Sequence, residues 1–178
     1  MSGVKIQPLF RGETTWVVEA DQLHGLMLEL KKAGFDYLVD VSSVDHFGEH
    51  PRFEMVYELF GYGHEQHLRI KCRISEDDPH IATVSDLWAT ANWHEREVYD
   101  MMGIRFDGHP DLRRILMWDG YPYFPLRKDF PLEGKETQMP DIAFTRPAPL
   151  EGGPFVTSPS ATKAYDREPR AKDFAQRN

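Results

Sequence analysis

The chain has 178 residues, 40% apolar and 12% aromatic, enough for one good core and, on length, for one domain with room for an appendage. Its single cysteine, Cys72, excludes an intrachain disulfide and a four-thiolate iron-sulfur or Cys-rich zinc site built from this chain alone. Residues 1–118 carry 12 Lys/Arg against 20 Asp/Glu, the whole net charge of −8, while residues 119–178 hold nine of each, and a body of that sign disfavours nucleic acid as a partner.

The N-terminus has no basic segment running into an apolar stretch, and no run of eighteen apolar residues follows, so neither a secretory signal nor a membrane span is expected. Val4, Ile6 and Leu9 begin an extended run, Arg11-Gly12-Glu13 is a turn, and Thr14 to Glu19 is rich in β-branched and aromatic residues, which predicts a hairpin. Asp21 is placed to cap a helix in which Leu23, Leu26, Met27 and Leu30 repeat at three and four, with Lys31 and Lys32 in its last turn and Gly34 as its stop. Gly25 inside it costs about 1 kcal/mol relative to Ala, a cost that close packing on a sheet would justify.

Phe35 to Val44 reads as a strand near the middle of a sheet or partly covered on both faces, with Tyr37, Val39 and Val41 on one face and Asp36, Leu38 and Asp40 on the other. Phe53, Met55, Tyr57 and Leu59 alternate with polar residues and Val56, and so do Leu68, Ile70, Cys72 and Ile74, giving two strands with one apolar face each. Joined through Gly61-Tyr62-Gly63, they admit one antiparallel register that sets Glu58 opposite Arg69, Glu54 opposite Arg73 and Tyr57 opposite Ile70.

At about 100° per residue, Leu87, Ala91, Val98 and Met102 fall on one arc of a second helix, flanked by Trp88, Tyr99, His94 and Met101. Glu95 lies inside that arc, whereas Trp93, Arg96, Glu97 and Asp100 point away from it. A carboxylate on a core arc needs a partner, and Arg113 or Arg114, returning after the turn at Gly108-His109-Pro110, is the expected one. Arg96 and Asp100, four apart, would pair at roughly 0.3–0.5 kcal/mol. An exposed indole among charges marks Trp93 as a partner contact. Gly103 is read as the stop of this helix.

Motifs for chemistry fail in turn. His94-Glu95 begins a zinc-protease pattern, but Val98 stands where the second histidine belongs. His64 and His67 read as surface histidines, and Gly61-Tyr62-Gly63 leads into a strand with Gln66 at the last glycine position of a dinucleotide fingerprint. His109, before Pro110, reads as a capped side chain in a rigid turn rather than a base. After Met117 proline takes over: nine of thirteen prolines lie in residues 119–178. Aromatic residues recur there, from Tyr121, Tyr123, Phe124 and Phe130 to Phe144, Phe155, Tyr165 and Phe174. Such a segment cannot build its own core and suits a strap laid over another protein.

Glu95-Arg96-Glu97, Asp100-Met101-Met102, His109, Arg113 and Ile115-Leu116-Met117 resemble the signature of the C-type subunit of bacterial NADH:quinone oxidoreductase, the counterpart of the 30 kDa subunit of respiratory complex I. Phe124 to Pro131 resembles the block that follows it, and Gly134-Lys135-Glu136-Thr137 the continuing tail. Family members often carry proline where this chain has Ala89, which leaves open whether the second helix breaks there.

The resemblance implies an α+β fold of two layers, a predominantly antiparallel sheet with helices on one face, over residues 1–118, and an extended proline-rich tail over residues 119–178. It implies no catalytic, cofactor-binding or metal residue in this chain. The signature and interface set would be Trp93, Glu95, Arg96, Glu97, Asp100, Gly103, His109, Pro110, Arg113, Arg114 and Pro125-Leu126-Arg127-Lys128-Asp129-Phe130-Pro131. Within the hydrophilic arm, on the cytoplasmic side of the cell membrane, the chain would hold the large, 49 kDa-type subunit that helps form the quinone site. FMN, iron-sulfur clusters and quinone would lie on other subunits of a proton-translocating complex. A related membrane-bound hydrogenase or ferredoxin-dependent plastoquinone oxidoreductase has similar subunits, and a small independent enzyme using Glu95 and His109 as acid and base is the reading from another class.

Overall fold

A computed structural model describes residues 3–135, so the aromatic anchors expected at Phe144, Phe155, Tyr165 and Phe174 lie outside the described residues. Five strands form one sheet in the order β1-β2-β5-β4-β3: β1 Lys5–Ile6, β2 Thr14–Val17, β3 Tyr37–Asp45, β4 Phe53–Gly61 and β5 Gln66–Ile74. All neighbours are antiparallel except β2 and β5, which run parallel. Helices α1, Leu23–Lys32, and α2, Ala91–Met102, contribute their buried apolar residues to the same core as the sheet's apolar face. The result is a mixed, mostly antiparallel α+β fold.

The register read from alternation is the one observed. Glu58 faces Arg69, Glu54 faces Arg73 and Tyr57 faces Ile70, with Phe53, Met55, Tyr57 and Leu59 fully buried. On the other face Arg69 bonds Glu58 and, at 2.7 Å, Glu13, while Lys71 bonds Glu54 at 2.8 Å. Charge and hydrophobicity therefore select the same pairing. The N-terminal hairpin also forms, with Ile6 opposite Trp16 and the turn carried by left-handed Arg11 and Gly12.

Several expectations are corrected. Asp21 sits within a 3-10 turn, Ala20–Gln22, and α1 starts after Gln22 without a side-chain cap. Gly25 is exposed, and a Cβ built there would meet nothing within 4 Å, so close packing does not explain it. β3 is an edge strand, and its pairing slips between Leu38 and Asp40. That bulge brings Leu38 and Val41 together into the core and leaves Tyr37 41% exposed. The second helix does break near Ala89: residues 85–90 form turns, and Leu87 and Trp88 reach the core from them. A parallel ribbon of β6, His80–Ala82, and β7, Arg105–Asp107, is too short for periodicity to reveal.

The compact body extends to Asp129 rather than to residue 118. Phe130 begins a second unit, in which Pro131 accepts from the Gly134 amide at 3.0 Å and the Lys135 ammonium lies 5.8 Å from the Phe130 ring centroid.

Candidate functional site

Helix α2 carries the signature and presents it to two coverings. Toward the core, Glu95 is wholly buried. The Thr83 hydroxyl donates to its Oε2 at 2.5 Å and the Val84 amide to its Oε1 at 2.7 Å. Burial outweighs these two donors and pushes its pKa up to about 7. Neither Arg113 nor Arg114 reaches it, contrary to expectation, because the residues leading out of β6 already supply its donors. His109 Nε2 is 3.9 Å from Glu95 and donates to the Asn92 carbonyl at 3.2 Å, while its Nδ1 accepts from the Asp111 amide at 3.0 Å. These partners fix the imidazole tautomer and tie the turn at Gly108, φ 82°, to the start of α2.

The opposite face of α2, polar on the helical wheel, is covered by residues 111–127, so Asp100 and Arg96 are buried instead of solvated. Asp100 Oδ2 accepts the amides of Ile115, Leu116 and Met117 at 3.0, 2.7 and 2.9 Å, and Arg114 donates to Oδ1 at 2.6 Å. Burial alone would raise its pKa, but those amides and Arg114 hold it below the usual carboxylate range. The expected Arg96–Asp100 pair does not form: Arg96 donates to the carbonyls of Arg113 and Arg114 at 3.1 and 3.5 Å. The two arginines divide as inward and outward. Arg114 keeps 11% of its side chain exposed, whereas Arg113 keeps 68% and pairs with Asp111. Trp93 is 63% exposed, with the Arg96 guanidinium 4.9 Å from its ring centroid. Glu97 and Pro110 are exposed.

Gly103 closes α2 at φ 73°. A Cβ there would lie 2.6 Å from the Phe124 ring and 2.7 Å from the Arg127 guanidinium, so glycine serves both the left-handed backbone and the close cover. The Leu126 amide donates to Met101 O at 3.1 Å and Arg127 Nε to Met102 O at 2.7 Å, using carbonyls that a helix end leaves open. Pro125 is half-buried and Leu126 61% exposed. Beyond them the Lys128 amide donates to Asp45 Oδ2 at 2.8 Å.

That last bond enters a cluster that no sequence motif announces. Arg52 holds Asp45 bidentately, both bonds at 2.8 Å, and also reaches Glu76 at 3.1 Å and Asp129 at 2.8 Å. The Arg52 hydrogen bond lowers the pKa of Asp45. Asp45 ends β3 opposite Phe53, so the β3–β4 register was the signal that would have placed Arg52 beside it. Cys72 is fully buried, its thiol pushed up to about 12 by burial, which removes it as a nucleophile. Among the described residues no three His, Cys, Asp or Glu side chains gather as a metal site, and no helix is long and apolar enough to cross a membrane.

Comparison with known proteins places this geometry. The family described as "Respiratory-chain NADH dehydrogenase, 30 Kd subunit" matches residues 16–136. A C-type subunit of NADH-quinone oxidoreductase from Rhizobium meliloti (strain 1021) is 53% identical over 66% of this chain and 64% of its own length. The C-type subunit of the same enzyme from Geotalea uraniireducens (strain Rf4) is 45% identical over 72% and 79%. The chain thus spans just under two thirds of the Rhizobium relative. Among solved structures, a trypsin-resistant fragment of Nqo5 is 36% identical with a TM-score of 0.58, covering 61% of this chain and 89% of the fragment. A chain of the membrane-bound sulfane sulfur reductase, an archaeal respiratory membrane complex, is 25% identical with a TM-score of 0.66, over 73% and 78%. The match runs from β2 through the whole signature and past the covering segment, and this chain belongs to the respiratory-chain NADH dehydrogenase 30 kDa subunit family.

Proposed function

We propose that the chain is a cofactor-free structural subunit in the hydrophilic arm of a proton-translocating NADH:quinone oxidoreductase, where it holds the large, 49 kDa-type subunit that helps form the quinone site. The observation that carries this reading is how the signature acids are used. Glu95 and Asp100 are sealed from solvent, and their oxygens are taken by Thr83, Val84, Arg114 and three backbone amides. Acids so placed brace a fold and offer a substrate no accessible proton donor or acceptor. The same burial counts against an independent enzyme built on Glu95 and His109, whose side chains are both fully buried. What the surface offers instead is Trp93 and Leu116, 63% and 61% exposed, a pair of apolar contacts beside the signature for a neighbouring subunit. Electrons would pass through flavin and iron-sulfur centres on other subunits, and the chain would reach the cytoplasmic face of the membrane only through its neighbours.

Isolation of the tagged chain from the cells that encode it tests this. The large subunit and other arm subunits should accompany it, and the chain purified alone should show no flavin or haem absorbance and no stoichiometric metal. One metal or chromophore per chain would overturn the cofactor-free part. The likeness to a chain of the sulfane sulfur reductase complex favours a second reading, the equivalent subunit of a related membrane-bound hydrogenase or ferredoxin-dependent plastoquinone oxidoreductase. Genes for flavin- and NADH-binding subunits beside this one would decide for the first.

A further inference from the structure

Arg52 and Arg127 both lie against Phe53, their guanidinium carbons 5.0 and 5.1 Å from its ring centroid, yet their forks are used differently. Arg52 spends its fork on Asp45, Glu76 and Asp129, and so consumes the nearby acids. Arg127 gives Nε to the Met102 carbonyl and stacks 4.5 Å from the Phe124 centroid. Among the described residues no carboxylate comes within 4.0 Å of it, and neither terminal nitrogen is among the buried atoms left without a hydrogen bond. Among the described residues the hydrogen bond of Arg127 is made by Nε alone, and its terminal nitrogens, Nη2 lying over Gly103, are not sealed from solvent. A lone arginine on a flexible stem would mean little, but two rings and a helix-terminal carbonyl hold this one in place. Most of the side-chain entropy that a contact would cost has already been lost on folding. Burial, with Arg52 close by, lowers the pKa of Arg127 against the opposing pull of Asp129, Asp45 and Glu76.

We infer that the open fork of Arg127 receives a carboxylate side chain from a neighbouring protein subunit, bidentately, with exposed Leu126 as its apolar flank. The planar fork matches a carboxylate in shape. Leu126, and Phe47 under the adjacent Arg52 at 4.8 Å, are 61% and 58% exposed and would exclude water around the pair as protein interfaces do. A phosphate fits the fork as well, but the net charge of −8 repels a polyanion. The inference rests on the chain being a subunit of a larger assembly, and it names the chemistry of one contact within it.

The test uses the full-length tagged chain, isolated with its assembly, as wild type, Arg127→Lys and Arg127→Gln, with the free chains melted in parallel. The salt concentration that strips the neighbouring subunits is the readout, together with an experimental structure of the wild-type assembly. Arg127→Gln should hold its neighbours about tenfold more weakly, Arg127→Lys should fall between, and a partner carboxylate should lie within hydrogen-bond distance of the Arg127 terminal nitrogens. A folded Arg127→Gln chain held as firmly as wild type overturns the inference. So does a fork that in the assembly meets solvent, a phosphate or a carboxylate of this chain's own residues 136–178. If Arg127→Gln does not fold, the structure of the wild-type assembly decides. A wild-type chain that brings down no neighbours fails before any substitution is made, and refutes the subunit reading itself.

Discussion

Glu95 and Asp100 lie on one helix and are equally buried, but they hold their protons oppositely. Asp100 has a guanidinium and three amides; Glu95 has one hydroxyl and one amide. Folded, Glu95 keeps its proton to about pH 7, whereas its ordinary value is 4.5. Between those values the folded state binds the extra proton, so this group's stability is fully present below pH 4.5 and is lost as pH rises towards 7. A shift of that size corresponds to roughly 3 kcal/mol at most. Glu95→Gln mimics the protonated acid and should be relatively more stable than wild type at pH 8 than at pH 5, by more than about 1 kcal/mol in denaturant unfolding. Identical pH dependence in the two proteins would contradict the assignment. Asp45, Asp100 and Asp129, whose pKa values are lowered, act on the other side: their stability is present above about pH 4 and is lost as pH falls further. Arg114→Ala leaves Asp100 sealed without its cation and should cost about 3 kcal/mol. Arg113→Ala, at a largely exposed side chain, should change stability by no more than roughly 0.5 kcal/mol. Equal losses would mean that the amides alone hold Asp100.

At the scale of the elements, two glycines with different reasons give opposite expectations. Gly25 sits exposed within α1 with open space where a Cβ would go, so Gly25→Ala should stabilise by about 1 kcal/mol. Gly103 has φ 73° and the Phe124 ring against it. Gly103→Ala should cost roughly 1–2 kcal/mol for the backbone, and more because Phe124 and Arg127 must move. Urea midpoints of the two variants moving in the same direction would refute the contrast. The same elements show what could be read in advance. The β4–β5 register was legible because strict alternation and two charge pairs point to one solution. β3 was not, because a bulge beside Val39 breaks the period on which the reading depends. The wheel of α2 put Trp93 outside and Glu95 inside correctly, but it misplaced Arg96 and Asp100. Their burial comes from the covering segment, and local periodicity contains no record of that cover. The return of an arginine over α2 was legible from the turn at Gly108-His109-Pro110, while the choice of Asp100 rather than Glu95 depended on where β6 placed Thr83 and Val84.

For the whole molecule the question is where the compact body stops. Composition changes at residue 119, yet the chain beyond it still closes the body. Tyr121 is 7% exposed, Phe124 and Arg127 lie over Gly103, the Lys128 amide bonds Asp45 and Asp129 bonds Arg52. Proline content marks a lack of helix and strand, not a lack of packing. A fragment ending at residue 118 would expose the end of α2, leave Asp45 short of a donor and lose one acid from Arg52. Burial of one large aromatic side chain is worth roughly 1.5–3 kcal/mol, so losing Tyr121 and the ring of Phe124 should lower the melting temperature by roughly 10 °C or more. A fragment ending at residue 135 keeps all of these contacts and should melt cooperatively near the full-length chain. Co-purification separates the two roles further: the 1–135 fragment retains Trp93, Leu116, Leu126 and Arg127 and should still associate with neighbouring subunits, but less firmly if the later residues are the strap. Fragments 1–118 and 1–135 with the same melting temperature would show that residues 119–129 only rest on the body, and the boundary would then belong where the composition changes.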